Sequence, residues 1–451
     1  MGHTDSVSSA RSATERRALP VVLLAVMVGA LLVLAGVSKM PCLGRVTDDN
    51  RIVTHQCFTE VGTFYATRGL AEEFTPFYGE STRYPTIEYP VVSALVLEGA
   101  AWVTHRIHGV TADVQQHRSQ VPVESVQADP LVISEGRTFT ALMFLLLGSV
   151  GGVGLVLLLR TLSPHRAVTM LAVTAPAVIL TAFVNLDLLV LGSVGIALWA
   201  WSRQRPWTVG LAVGLGAGAK LVPALLLIGV VGVLLAHRRN RKIVRQTLTV
   251  LGASALTFVL INLPAVALHP DAWARFWTFS RERPEYFGSV WMALRMVRGH
   301  AVPVSLMNEV ALAAVLLAAA VGVWIATRTP VAMAMALGAI PAMVTFVDVN
   351  KVVSPQYSIW LVPLIVAVVP LGLAAAFTAA HVAHYVETWL YIKGISTPPV
   401  GVDKWYLAAI AGRAVSDGFL FLWVGWRAIQ GKPSQQIGHV EATTSARRSP
   451  S

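Results

Sequence analysis

Five carboxylates crowd one short polar stretch of the chain, residues 57–90, CFTEVGTFYATRGLAEEFTPFYGESTRYPTIEYP. Beside Glu80, they are Glu60, Glu72, Glu73 and Glu88, set among tyrosines and phenylalanines. A carboxylate held against aromatic rings is partly desolvated, which raises its basicity and suits it to take a proton from a hydroxyl. Glu60 has the strongest such setting, with Phe58, Phe64 and Tyr65 around it. Glu72 is the fallback. For Glu60 the plain alternative is a solvated loop charge. For Glu88, which opens a helix with Tyr89 and Pro90, it is a charge that favours the helix dipole.

Cations occupy unusual places too. Lys220 stands inside the apolar run GLGAGAKLVPALLL, where a charged side chain costs at least ~2.5–3.5 kcal/mol. It can snorkel, pair with Asp187 or hold a phosphate; Gly214, Gly216 and Gly218 permit close helix approach and aim it into a bundle. Lys351 lies in DVNKVVSPQY, and Arg281 and Arg283 in WARFWTFSRERPEYFGSVW. Cations on one face can neutralise an anionic leaving group. Cys42, Cys57 and His55 are too few for a zinc site, and no Walker A, G-x-G-x-x-G or H-E-x-x-H motif occurs, so no metal or cofactor is expected. The two cysteines are either bridged or free.

The elements that must position these groups are membrane helices. The chain is 55% hydrophobic and only 13% charged, against about 25% charged in soluble domains. The net charge of +11 reads as basic inner loops, not as a nucleic-acid surface. Apolar runs predict an all-α polytopic protein of about twelve transmembrane helices. The expected spans include 19–38, a second from the EYP at 88–90 to about 103, and 209–236, which is either one tilted, proline-kinked helix or two short ones and is taken here as one. Residues 1–18 form a cytoplasmic tail, 19–428 the membrane domain, and 429–451 a disordered tail. On this count the arginine-rich loop 238–245 and both termini fall inside. The long loops 39–88 and 269–307 fall outside with the turn at 348–354, and arginines 160, 166, 203 and 205 fall on the wrong side. The same count leaves Asn185 and Asp187 on the inner face, away from the carboxylates.

Several segments carry a resemblance: CFTEVGTFYATRGL with IEYP, AFVNLDLL, GLGAGAKLVPALLL, RPEYFGSVW and NKVVSPQYSIWLVPL. The chain resembles the GT-C superfamily of polyprenyl-phosphate-sugar-dependent glycosyltransferases. Within it, the chain is most similar to the actinobacterial branch of α-mannosyltransferases and arabinofuranosyltransferases that build phosphatidylinositol mannosides, lipomannan and arabinan. The resemblance covers most of the chain up to about residue 365. It implies a GT-C-like bundle with long first and fourth extracytoplasmic loops in the plasma membrane. It implies inverting transfer of a mannosyl or arabinofuranosyl unit to a glycolipid or glycan acceptor at the outer face. Glu60 would be the catalytic base, where the family often carries aspartate. Lys220, Lys351, Gln356, Tyr357 and Arg283 would bind the donor, and Glu88, Tyr89, Tyr65 and Ser289 would bind the acceptor or position loops. A transporter or flippase of lipid-linked sugars is the alternative, but such proteins keep outer loops short and place polar groups at the midplane.

Overall fold

The computed structural model describes residues 19–43, 49–72, 83–85, 87–394 and 402–430. The expected tail 1–18, Glu73, and the tail 429–451 beyond its first two residues lie outside them. Among the described residues the protein is all α, with no strands. Six helices are long and apolar enough to cross a membrane: Val21–Cys42, Pro130–Leu159, Arg241–Leu268, Val304–Thr327, Val331–Asp348 and Lys404–Gln430. Shorter apolar helices accompany them, so the bundle is that of a multi-pass membrane protein.

Helix α1 (Val21–Lys39) leads to short helices α2 (Asp49–His55) and α3 (Val61–Thr67). Helix α4 (Val91–His108) follows, then α5 (Ala112–Gln120), α6 (Val123–Ala128) and the long α7 (Pro130–Leu159). Next come α8 (Pro164–Thr181), α9 (Leu188–Ser202), α10 (Pro206–Ala219), α11 (Leu226–Ala236) and α12 (Arg241–Leu268). Two surface helices, α13 (Pro270–Glu282) and α14 (Val290–Arg298), precede α15 (Val304–Thr327) and α16 (Val331–Asp348). Helices α17 (Ser358–Val368), α18 (Leu371–Ile392) and α19 (Lys404–Gln430) finish the bundle. Proline opens α7, α8, α10 and α13 at the first helical position, where its missing N–H costs nothing.

Close glycine contacts fix the directions of the central helices. A Cβ on Gly151 would meet Leu188, and one on Gly154 would lie 2.4 Å from the Gly192 carbonyl oxygen. So α7 and α9 run parallel, with their backbones pressed together as only small residues allow. In the same way Gly210 meets Ala253, Gly214 meets Thr257 and Gly218 meets Ile261, so α10 runs parallel to α12.

Two expectations from hydropathy are corrected here. Residues 209–236 are not one kinked helix. Helix α10 stops at Ala219; Lys220 is extended (φ −157°, ψ 140°), and a 3-10 turn, Val222–Leu225, leads into α11. The cause is Pro223, whose ring would clash with the carbonyl of Ala219 four residues back. That carbonyl accepts instead from Ser93 Oγ at 2.9 Å. The chain then doubles back. Gly216 faces the Pro223 ring, Gly229 faces Met335, and Val233 joins Ile243, Trp201 and Val331 at the far end of the bundle.

The run from the EYP at 88–90 also differs from its expected role as a crossing helix. Helix α4 starts beside Ala219, through Ser93, and ends with His108 hydrogen-bonded to Thr138 at 2.8 Å. Thr138 lies on the first third of α7, on the site side of Phe144, which packs against Gly36 near the end of α1. Both ends of α4 therefore stay in the site half of the molecule. The helix stops at Gly109, whose φ of 66° suits a glycine at a helix C-terminus.

Cys42 and Cys57 form a disulfide with Cα atoms 5.6 Å apart. It ties the end of α1 to the segment that carries Glu60.

Candidate active site

Segment 57–67 is placed by its backbone. Glu60 N donates to Val184 O at 2.7 Å, and Thr59 Oγ1 donates to Phe183 O at 2.6 Å. Glu60 is thereby anchored to the α8–α9 junction, and its side chain enters a cavity of about 650 Å³, within the usual range of ligand sites. Tyr89 Oη donates to Glu60 Oε2 at 3.0 Å. Burial pushes the Glu60 carboxyl above its ordinary range, opposed by the Tyr89 hydrogen bond and the charge of Lys220. That is the direction expected of a base poised nearer neutrality.

The floor of the cavity is the Lys220 turn. Lys220 forms an ion pair with Asp187. Its ammonium also lies 5.5, 5.3 and 5.0 Å from the ring centres of Tyr89, Tyr357 and Trp360, within cation–π range. Tyr357 and Trp360 stack with centroids 3.8 Å apart. Helix breakage explains the placement: an unbroken helix would have buried Lys220 in a wall, whereas the turn exposes it to the cavity.

The remaining wall is a pair of loops zipped together. Tyr286 N donates to Lys351 O at 2.8 Å, and Val353 N to Phe287 O at 3.1 Å. Lys351 Nζ donates to Arg281 O at 2.8 Å; burial and nearby Arg283 hold its pKa below the ordinary lysine value. Arg283 rests on the Phe279 ring at 4.9 Å. Glu88 is half-buried; burial raises its pKa against the opposing charges of Arg68 and Arg283.

Eight of the sequence-derived candidates thus line one cavity: Glu60, Glu88, Tyr89, Lys220, Arg283, Lys351, Gln356 and Tyr357. Tyr65 and Ser289 do not reach it. Tyr65 is fully buried and donates to Glu135 Oε2 at 2.6 Å, beside Arg118; Ser289 caps α14 by accepting from Met292 N at 3.1 Å. Both hold loops, which is one of the two roles expected of them. Glu72 is closed off by Tyr84 and by Arg83 at 3.1 Å.

Asn185 and Asp187 were expected on the opposite face. Asn185 instead lines the cavity, and its Oδ1 accepts from Asp187 N at 2.9 Å. The motif FVNLDLL was visible in sequence, but only helix direction assigns it to a face. Arg68, Trp360 and Asn308 also line the cavity; the first two lie in segments that carried the resemblance without being singled out, and Asn308 had no signal in the sequence.

A second ionic cluster is packed just behind this wall. Arg413, fully buried, contacts Asp348 at 2.6 Å and Asp417 at 3.2 Å, and His381 Nε2 lies 3.0 Å from Asp417.

The molecule is thus a multi-helix membrane protein with an aromatic cavity at one end in which a carboxylate stands over a cation. The model of glycosyltransferase family 87 matches residues 130–355, half of the chain, and the protein belongs to that family. No curated protein matches it. The matched region holds Asn185, Asp187, Lys220, Arg283 and Lys351; Glu60, Glu88 and Tyr89 precede it.

Proposed function

We propose that the protein transfers a mannosyl or arabinofuranosyl unit from a polyprenyl-phosphate sugar to a glycolipid or glycan hydroxyl, with inversion at C1. The observation that carries this reading is the single cavity in which Glu60, hydrogen-bonded to Tyr89, faces Lys220. Glu60 takes the proton of the acceptor hydroxyl as its oxygen bonds to C1. The bond from C1 to the phosphate oxygen breaks, and the electron pair leaves with the phosphate. Lys220, with Arg283 beside the opening, offsets that charge. Phosphate leaves readily, so one carboxylate suffices, unlike the pair an inverting glycosidase needs. Tyr357 and Trp360 give the sugar a face to pack on, and Gln356 a polar contact. The donor and acceptor are substrates, and no further cofactor enters the scheme.

The helix directions support an orientation for the chain. With α2–α6, α13 and α14 set aside, the remaining helices alternate in direction and bring Val21 and Gln430 to the same side. Relative to the sequence expectation, one pass is lost at α4 and one gained at the Lys220 reversal. The bookkeeping downstream of the reversal is therefore unchanged. The gain is upstream: Arg160, Arg166, Arg203 and Arg205 now join the 238–245 loop on the inner side, in agreement with the positive-inside rule. The cavity then faces outward at the plasma membrane. A disulfide between Cys42 and Cys57 supports an oxidising compartment for that face. The broken backbone at Lys220 is tolerable in a membrane because it lines a polar cavity. The transporter alternative has no support from family membership.

The test is direct. Purified protein is incubated with a radiolabelled polyprenyl-phosphate sugar and membrane glycolipids, as wild type and as Glu60→Gln. Transfer by the wild type and a loss of at least ~100-fold in the variant are expected, the scale of a general base. Undiminished transfer by Glu60→Gln would remove the base assignment; movement of donor across vesicles without transfer would favour the transporter.

A further inference from the structure

A larger cavity, of about 880 Å³, lies on the other side of the Glu60 segment. Helices α1 and α7 form its walls, with Leu32, Val33, Phe144 and Leu145 among the lining side chains. Gly29 has nothing within 4 Å of where a Cβ would stand, so the groove is open at that end. From Gly29 to Met40 it follows α1 for roughly 16 Å at the helical rise. Both walls are long and apolar enough to cross a membrane. Val33 and Leu145 are 66% and 69% exposed on it. The groove therefore opens to hydrocarbon.

Three features say what belongs there. Arg137 lines the end nearest the site, where Gly136 abuts Tyr65 of α3; it is exposed and forms no ion pair with a described residue. Thr63 lines both this groove and the cavity of Glu60, and its hydroxyl donates to Glu60 O at 2.8 Å. The site cavity already has an apolar exit of its own on the opposite side, along Ala311, Leu312 and Val315 of α15. A lipid donor leaving by that exit does not need the α1–α7 groove.

We propose that the groove between α1 and α7 seats an alkyl chain of an anionic lipid acceptor, whose headgroup charge meets Arg137 and whose hydroxyl passes Thr63 to reach Glu60. This deepens the transfer reading above and rests on it. Donor and acceptor lipids then approach Glu60 from opposite sides of the bundle, each with its chain in the membrane.

The full-length protein in vesicles is irradiated with phosphatidylglycerol carrying a mid-chain diazirine, and separately with phosphatidylcholine carrying the same chain. Labelling of α1 and α7 peptides by the anionic probe should exceed that by the zwitterionic one about five-fold, the factor one surface cation supplies. Arg137→Gln should bring the two probes level, and Val33→Trp should remove labelling by both, with the thermal midpoint unchanged in each variant. In the transfer assay, Val33→Trp should raise KM for the lipid acceptor by about ten-fold or more through lost apolar burial. The KM of the donor and transfer to a short-chain soluble acceptor should stay as in the wild type. Equal labelling by both probes in the wild type marks ordinary boundary lipid and overturns the proposal, as does a rise in donor KM in place of acceptor KM. Selective labelling in a protein that transfers nothing overturns the acceptor role together with the transfer reading. Wild-type transfer that both variants leave untouched overturns the groove alone.

Discussion

Two clusters of buried charge, far apart along the chain, stand in this bundle and are built for different ends. One is Lys220 with Asp187, under Glu60 and Tyr89. The other is Arg413 with Asp348, Asp417 and His381. Both place ions where water is scarce, and both spend Coulomb attraction against desolvation. The Arg413 cluster is closed at its centre: Arg413 and Asp417 have no exposed side-chain surface, only Asp348 at its edge is partly exposed, and none of the three lines the site cavity. The Lys220 cluster is left open on one side, where the Lys220 side chain lines the cavity with three aromatic rings around its ammonium. A closed cluster locks helices α16, α18 and α19 together; an open one holds unsatisfied electrostatic capacity for a ligand. Buried charge by itself marks neither function nor structure. Access to a cavity separates the two.

The sharpest way to break this contrast is to neutralise each cluster in matched fashion. Lys220→Met should cut transfer by at least ~100-fold, the scale of losing one charge-stabilising donor, and should also destabilise the fold by stranding Asp187. Adding Asp187→Leu should restore the thermal midpoint and leave transfer lost. On the sealed side, Arg413→Met should cost about 3–5 kcal/mol in denaturation, because two carboxylates lose their partner. Joining it with Asp348→Leu and Asp417→Leu should recover stability, and transfer per folded molecule should stay near the wild-type rate throughout. Recovery of transfer in the Lys220 and Asp187 pair, or its loss in the Arg413 triple, would falsify the distinction.

Smaller effects refine it. Replacing Cys42 and Cys57 by serine should lower stability by roughly 3 kcal/mol on the chain-entropy model, read by thermal denaturation with and without reductant. Tyr89→Phe removes the donor that favours ionised Glu60, for a loss of about ten-fold near neutral pH, in line with a hydrogen bond to a charged group. Its pH profile is the more telling readout. Burial already lifts the Glu60 pKa, so kcat/KM should fall as pH drops through that raised value. Removing the Tyr89 hydroxyl lifts it further and moves the acid limb to higher pH. The same shift bears on stability. A carboxyl whose folded pKa exceeds its unfolded one stabilises the fold below the unfolded pKa, and that contribution is lost as pH rises through the folded pKa. Glu60→Gln should therefore raise the thermal midpoint slightly at neutral pH while abolishing transfer.

Much of the site could be read from residue chemistry. Glu60, Lys220, Lys351 and the SPQY segment stood out because each is polar where its surroundings are apolar, and the fold gathers them at one end. What hydropathy could not read was direction. It counts apolar residues and is blind to whether a run crosses or returns. The run after Pro90 looked like a span, yet α4 keeps both ends near the site. The run around Lys220 looked like one span, yet Pro223 folds it in two. Asn185 and Asp187 were assigned to the wrong face for the same reason. The proline was the legible clue: Ala219 lies four residues before it, and its carbonyl had to find another donor. For Tyr65 and Ser289 the sequence left two roles open, acceptor contact or loop positioning, and their hydrogen bonds are spent on loops.

The hairpin at Lys220 has a consequence for the membrane itself. Its arms, 14 and 11 residues long, reach only about 21 and 16 Å at the helical rise, against a hydrocarbon core of about 30 Å. The ammonium at the tip therefore stands in a well sunk below the membrane surface onto which the cavity opens. On the proposed reading, a sugar phosphate meeting it must leave the headgroup plane and descend. The depth of that descent is set by the thickness of the bilayer as much as by the protein, so turnover should respond to acyl-chain length in the host membrane.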